Sequence, residues 1–238
     1  VINIMGINNY AYDDEGNLVC SDYVLNTYLY VILSFILMAG MFVMDEKYKF
    51  VFKSLNYINI YVFYIGYILI SLFLLYKLYN VNPENIVETH VLWLLLTLLI
   101  SFLAMFSIHY GILFNTLYQA IIGTVLITSV VGYIGYHYGD KIVSVDFDKY
   151  LLYSLFGLIL VYYIGIYFIK NKSQFIYMML YAFLIVFTLL LLSYNKHLRD
   201  RAEECTVPNY PLEAIRLFRK IVVVFKNLIL ILAKNKGN

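Results

Sequence analysis

THVLWLLLTLLISFLAMFSIHYGILFNTLYQAIIGTVLITSVVGYIGYHYG, residues 89–139, runs 51 positions without Asp, Glu, Lys or Arg. No core of a small soluble domain needs so long an uncharged run. A helix that crosses a ~30 Å hydrocarbon layer needs about 20 apolar residues. The stretch therefore reads as two consecutive membrane-spanning helices. In such a chain an apolar surface is ordinary, and a charge inside a span is the feature to explain.

Composition extends that reading to the whole chain. Of 238 residues, 63% are hydrophobic and 13% charged, with mean hydropathy +0.77. Soluble domains carry about 25% charged residues. Outward from the quoted stretch, six strongly apolar segments lie near 23–44, 54–76, 89–108, 112–137, 150–169 and 174–194. The intervals between them are short: 45–53, 77–88, 109–111, 138–149 and 170–173. Asn82-Pro83-Glu84 reads as a turn followed by a helix start. Residues 195–209 form one richly polar loop with Lys196, Arg199, Asp200, Arg201, Glu203 and Glu204.

Residues 1–22 read as a polar, turn-rich arm with four acids and no Lys or Arg, and 23–238 as a single membrane domain. The chain begins at Val1, which a removed leader or a recombinant start would each explain.

The last segment, 211–233, is different in kind. On a helical wheel Glu213, Arg216, Arg219, Lys220, Lys226 and Asn227 fall in one arc. Phe218, Ile221, Phe225, Leu228 and Leu232 lie opposite. Arg216, Arg219, Lys226 and Asn227 are candidate polar-face contacts. Such a helix lies at the membrane interface, re-enters, or spans with its cations turned to water or protein. Basic residues bear on the choice. With six crossings and a seventh helix on the N-terminal side, 12 of the 17 Lys and Arg share one side. The expected fold is thus an all-α, polytopic membrane helical bundle. It has six transmembrane spans plus a seventh interfacial, re-entrant or spanning helix, and the charge count favours the interfacial or re-entrant form.

Chemistry-bearing patterns are sparse. There is no metal-ligand cluster, glycine-rich phosphate loop or Ser-His-Asp motif, so no catalytic residue, metal or cofactor is expected and an enzyme is the least expected class. A net charge of +2 gives no nucleic-acid signature. His90 and His137 fall near span ends at one face. A bis-histidine haem is thinkable there, and two interfacial histidines is the preferred reading. Cys20 and Cys205 read as free thiols on one side of the membrane. Asn171-Lys172-Ser173 matches the N-glycosylation pattern in a loop too close to the membrane for use. Gln119, Thr124 and Thr128, with Ser129, Gly132 and Gly135, suit close helix packing. The implied partners are the lipid bilayer and other membrane proteins, with no nucleic acid and no identified small-molecule substrate.

The C-terminal third carries a resemblance. Leu191-Leu192-Ser193-Tyr194-Asn195-Lys196-His197, then Asn209-Tyr210-Pro211, then Leu217-Phe218-Arg219-Lys220-Ile221-Val222 follow one another at a familiar spacing. With the tail Val224-Phe225-Lys226-Asn227-Leu228-Ile229-Leu230-Ile231-Leu232-Ala233, and Tyr118-Gln119-Ala120 upstream, they resemble the transmembrane Bax-inhibitor-motif (Bax inhibitor or lifeguard) family. The resemblance implies a six-to-seven-helix membrane protein of cell-death or ion homeostasis; the membrane is expected to be the mitochondrial inner membrane or that of the endoplasmic reticulum or Golgi. Members of that family have a buried aspartate pair thought to share a proton and gate a calcium leak. Asn195 and Lys220 stand at those two positions here. At ~4 Å and an effective dielectric of ~20, a Lys–Ca²⁺ pair repels by roughly 8 kcal/mol. Calcium chemistry at that site is therefore not expected. The alternative function is a non-catalytic structural or accessory subunit of a large membrane complex, such as a mitochondrial respiratory assembly.

Overall fold

The computed structural model describes residues 22–49, 60–144, 146–203 and 208–236. The N-terminal arm up to residue 21, Cys20 and Cys205 lie outside the described residues. Among the described residues seven helices follow in order: α1 Tyr23–Tyr48, α2 Ile60–Asn80, α3 Ile86–Leu113, α4 Leu117–Ile142, α5 Phe147–Phe168, α6 Lys172–Glu203 and α7 Tyr210–Lys236. Five of them (α1, α3, α4, α5 and α6) are long and apolar enough to cross a membrane, and Ile65–Asn80 of α2 is a shorter apolar helix. This is the architecture of a polytopic helical membrane protein.

The helix ends follow from side chains at the boundaries. Asn85 precedes α3; its Oδ1 accepts the Glu88 N–H at 3.4 Å while its Nδ2 donates to the Glu88 carboxylate at 2.8 Å. The first bond satisfies a backbone donor that the helix start leaves open, and the second ties the two side chains together. Asn171 and Gln174 repeat the pattern at the start of α6, at 3.2 Å in both directions. The Asn171 of the glycosylation pattern thus serves as a helix cap. At α7 the Asn209 side chain accepts the Leu212 N–H at 3.1 Å, and Pro211 sits in the first turn, where its missing N–H costs nothing.

Helices α1 and α4 run on to Tyr48 and Ile142, into the expected connections, and two further boundaries differ more in kind. The 109–111 connection is helical, and the break falls at Phe114–Thr116. Nothing at 109–111 stops a helix, whereas Asn115 adopts φ 52°, a left-handed conformation that asparagine tolerates, and turns the chain there. The polar loop expected at 195–209 is helical as far as Glu203. Its charges have partners on neighbouring helices, so they extend α6 rather than end it.

The chain groups into two compact units. The first is Val1–Met105 with Asp200–Phe218; the second is Phe106–Arg199 with Arg219–Asn238. In the first unit, α1, α3 and the start of α7 are joined by rings. Tyr210 stacks near Tyr23 and Tyr30, Tyr30 meets Trp93 edge-on at 5.4 Å, and Phe35 meets Phe218 at 4.9 Å.

In the second unit, α6 and α7 run antiparallel along their length. Lys220 lies over the Tyr194 ring near one end of the contact. Near the other end Tyr177 bonds Asn235, and Lys234 donates to the Ser173 carbonyl. Gly135 of α4 lies so close to α6 that an added Cβ would collide with the Leu192 carbonyl oxygen. That position needs glycine because backbone occupies the space.

Burial inverts the soluble pattern. Of the residues of α7, only Arg219, Asn235 and Lys236 are exposed. The outward surface belongs to apolar helices: Leu72, Phe73 and Tyr76 on α2, and Tyr153, Phe156 and Ile164 on α5.

Candidate functional site

The polar positions of α7 divide between the two units. In the first, Glu213 is almost wholly buried, and each carboxylate oxygen takes one guanidinium. Arg201 Nη2 donates to Oε2 at 2.7 Å, and Arg216 Nη1 donates to Oε1 at 2.9 Å. Arg216 also donates to the Tyr79 hydroxyl at 3.0 Å and lies 4.5 Å from the Tyr79 ring centre. One buried carboxylate between two arginines is net positive, and Tyr79 contributes the ring face that favours a guanidinium. Arg216 is therefore paired within its own chain.

In the second unit, Asn195 is buried, and its Nδ2 donates to the Leu191 carbonyl of its own helix at 2.7 Å. Lys220 Nζ sits 3.9 Å from the centre of the Tyr194 ring, the residue adjoining Asn195. Lys220 is therefore brought to the residue that adjoins Asn195, with an aromatic face beneath its ammonium. Further along α7, Lys226 is half-buried and Asn227 buried, while Arg219 is exposed.

The packing candidates behave unequally. Thr124 is buried and Thr128 partly so. Their hydroxyls return to carbonyls of α4 itself, at Ala120 (2.7 Å) and Thr124 (2.8 Å). Gln119 is exposed. Gly132 and Gly135 are buried on the same helix.

Two clusters escaped the sequence reading. Asp148 at the start of α5 accepts from Ser193 and from His197, the latter at 2.6 Å. Ser, His and Asp thus meet, but both partners bond the carboxylate. The carboxylate of Asp148 thus ties the start of α5 to two positions of α6 one turn apart. Beside it, Arg199 clasps Asp140 through two 2.7 Å bonds and donates to the Tyr136 carbonyl at 2.8 Å, with Lys196 at 3.7 Å. Only proximity in space, not spacing in sequence, reveals these pairs.

The second overlooked cluster joins α1 to α3. His90 uses both ring nitrogens, with the Tyr30 hydroxyl at 2.5 Å and the Ile86 carbonyl at 2.7 Å. Both nitrogens are thus engaged within the chain. His137 lies against the rings of Tyr133 and Tyr136. Ser34 faces Thr97 across the same α1–α3 seam at 3.5 Å. Its sequence signal was the four-residue spacing of Thr89, Trp93, Thr97 and Ser101 inside the charge-free stretch.

Among the described residues, no group of three or more His, Cys, Asp or Glu is placed to hold a metal ion. No family model, curated protein or solved structure matches this chain.

Proposed function

We propose that the chain is a non-enzymatic membrane protein with seven crossings, built like a Bax-inhibitor-motif protein but closed to calcium, and that it acts by binding other membrane proteins as a structural or accessory subunit. The observation that carries this reading is the Lys220 ammonium over Tyr194 beside buried Asn195. A fixed cation repels Ca²⁺, and one amide oxygen is a poor replacement for two carboxylates, since calcium takes six to eight oxygens. The seventh crossing is supported by the antiparallel course of α6 and α7. A 27-residue helix is about 40 Å long, enough to cross. Its charges are tolerable there because they meet protein rather than lipid.

Two measurements on purified protein test the reading. Reconstituted in calcium-loaded liposomes, the wild type should leak no faster than empty vesicles. On a native gel in mild detergent it should migrate within a larger assembly. A robust Ca²⁺ flux refutes the closed site. Migration as a lone chain refutes the subunit role. The double change Asn195→Asp with Lys220→Asp should open a cation leak if the resemblance extends to pore geometry.

A further inference from the structure

We propose that the α1–α3 seam is a hydrated polar site whose ligand is water, entered beside the Tyr30–His90 pair and reaching inward to Ser101. The residues repeat on one face of each helix. Thr27, Tyr30 and Ser34 follow at three and four residues on α1; His90, Thr97 and Ser101 follow at seven and four on α3, with Trp93 between. Thr27, Ser34, Thr97 and Ser101 are fully buried and Trp93 nearly so.

Several helical hydroxyls satisfy themselves by bonding the carbonyl four residues back, as Ser34 and Thr89 do at 2.9 and 2.8 Å. Thr27 Oγ1, Trp93 Nε1 and Ser101 Oγ have no hydrogen-bond partner among the described residues. A buried donor left unbonded costs about 1–3 kcal/mol. Three along one seam, at different depths, point to one kind of missing partner.

That partner's chemistry follows from the groups. The indole N–H only donates, so it requires an acceptor, while the hydroxyls both donate and accept. None of these side chains is a carboxylate or thiolate, which disfavours a metal cation. A small neutral molecule that gives and takes hydrogen bonds fits all three, and water bridges buried groups of this kind. From His90 to Ser101 is about 16 Å along α3 at 1.5 Å per residue, roughly half of a hydrocarbon layer. Water would thus reach mid-membrane depth from the loop before α3.

The chain's single tryptophan makes the test direct. Ultraviolet resonance Raman spectroscopy of the whole protein in detergent reads both the hydrogen bonding and the deuterium exchange of the Trp93 indole N–H. A hydrated seam predicts a hydrogen-bonded indole that exchanges within minutes of transfer to D₂O, at least tenfold faster than the backbone amides of α3. An unbonded indole that stays protonated for hours overturns the proposal, as does exchange no faster than those amides. Thr27→Val and Ser101→Ala give an independent sign. Removing a dry, unpartnered hydroxyl should raise the thermal midpoint, which would contradict hydration. In a wet seam these changes should leave it level or lower it, and should slow indole exchange at least threefold.

Discussion

Helices α5 and α7 invert each other. Helix α5 is almost wholly apolar, yet only Leu151 and Gly165 are buried. Helix α7 carries Glu213, Arg216, Arg219, Lys220 and Lys226, yet nearly all of it is enclosed by protein. In water the placements would be reversed. Lipid receives apolar side chains at no cost and charges only at great cost, about 2.5–3.5 kcal/mol each at mid-span on insertion scales. The polar helix is therefore driven inward, where rings and counter-charges meet it, and the apolar helix faces out. Burial in this protein reports charge to be sheltered more than apolar area to be hidden from water.

The comparison breaks most sharply at Glu213. Glu213→Leu leaves Arg201 and Arg216 facing each other without their carboxylate. Breaking a buried pair this way costs about 3–5 kcal/mol. The variant should lose much of its thermal stability in detergent, or fail to fold. Adding Arg201→Met and Arg216→Met should restore most of the loss, since an apolar cluster of similar volume replaces an ion triad well. An unchanged midpoint for Glu213→Leu would mean that α7 is not sheltered at this end.

Glycines give the next effect. At Gly135 an added methyl meets the Leu192 backbone, so Gly135→Ala should lower stability by about 1–3 kcal/mol through overpacking. At Gly157 on α5 nothing lies within 4 Å, so Gly157→Ala should be neutral or stabilise by up to about 1 kcal/mol, as better helix propensity dictates. Thermal unfolding of both variants measures the contrast between an inner and an outer helix face.

Lys220→Leu comes third. It removes the contact with the Tyr194 ring, worth about 0.5–2 kcal/mol, and gains an apolar side chain in return. A small net change in midpoint is expected. A collapse of folding would show that Lys220 carries an ion pair as vital as that of Glu213. The smallest effect belongs to Asp140→Asn. Its carboxylate is largely exposed while it holds Arg199, so less than about 1 kcal/mol should be lost, and less again at high salt.

Much of this architecture was legible in the sequence because its strongest signal, apolar length, is also the strongest constraint on a membrane chain. The uncharged run at 89–139 appears as α3 and α4, and the amphipathic arc of 211–233 is one continuous helix. The placement of that helix was not legible. Amphipathicity says that one face must meet something polar, but water, phosphate and protein satisfy it equally. Only the pairing of Glu213 with Arg201 and Arg216, and of Lys220 with Tyr194, specifies protein. The extension of α6 to Glu203 was hidden for a related reason: its charges read as a loop until Asp140, Asp148 and Glu213 are found beside them. The orphaned hydroxyls and indole of the α1–α3 seam were hidden too, since a Ser or Thr in a helix normally bonds its own backbone.

The central claim is that a charged helix crosses the membrane inside a protein sheath. Single cysteines at Lys172, Glu203 and Lys236, in a background with Cys20→Ser and Cys205→Ser, test it most directly in sealed, oriented vesicles labelled with a membrane-impermeant maleimide. If α7 returns alongside α6, positions 172 and 236 label from one face and position 203 from the other. Labelling of 203 and 236 from the same face would contradict the account, because α7 would then not cross.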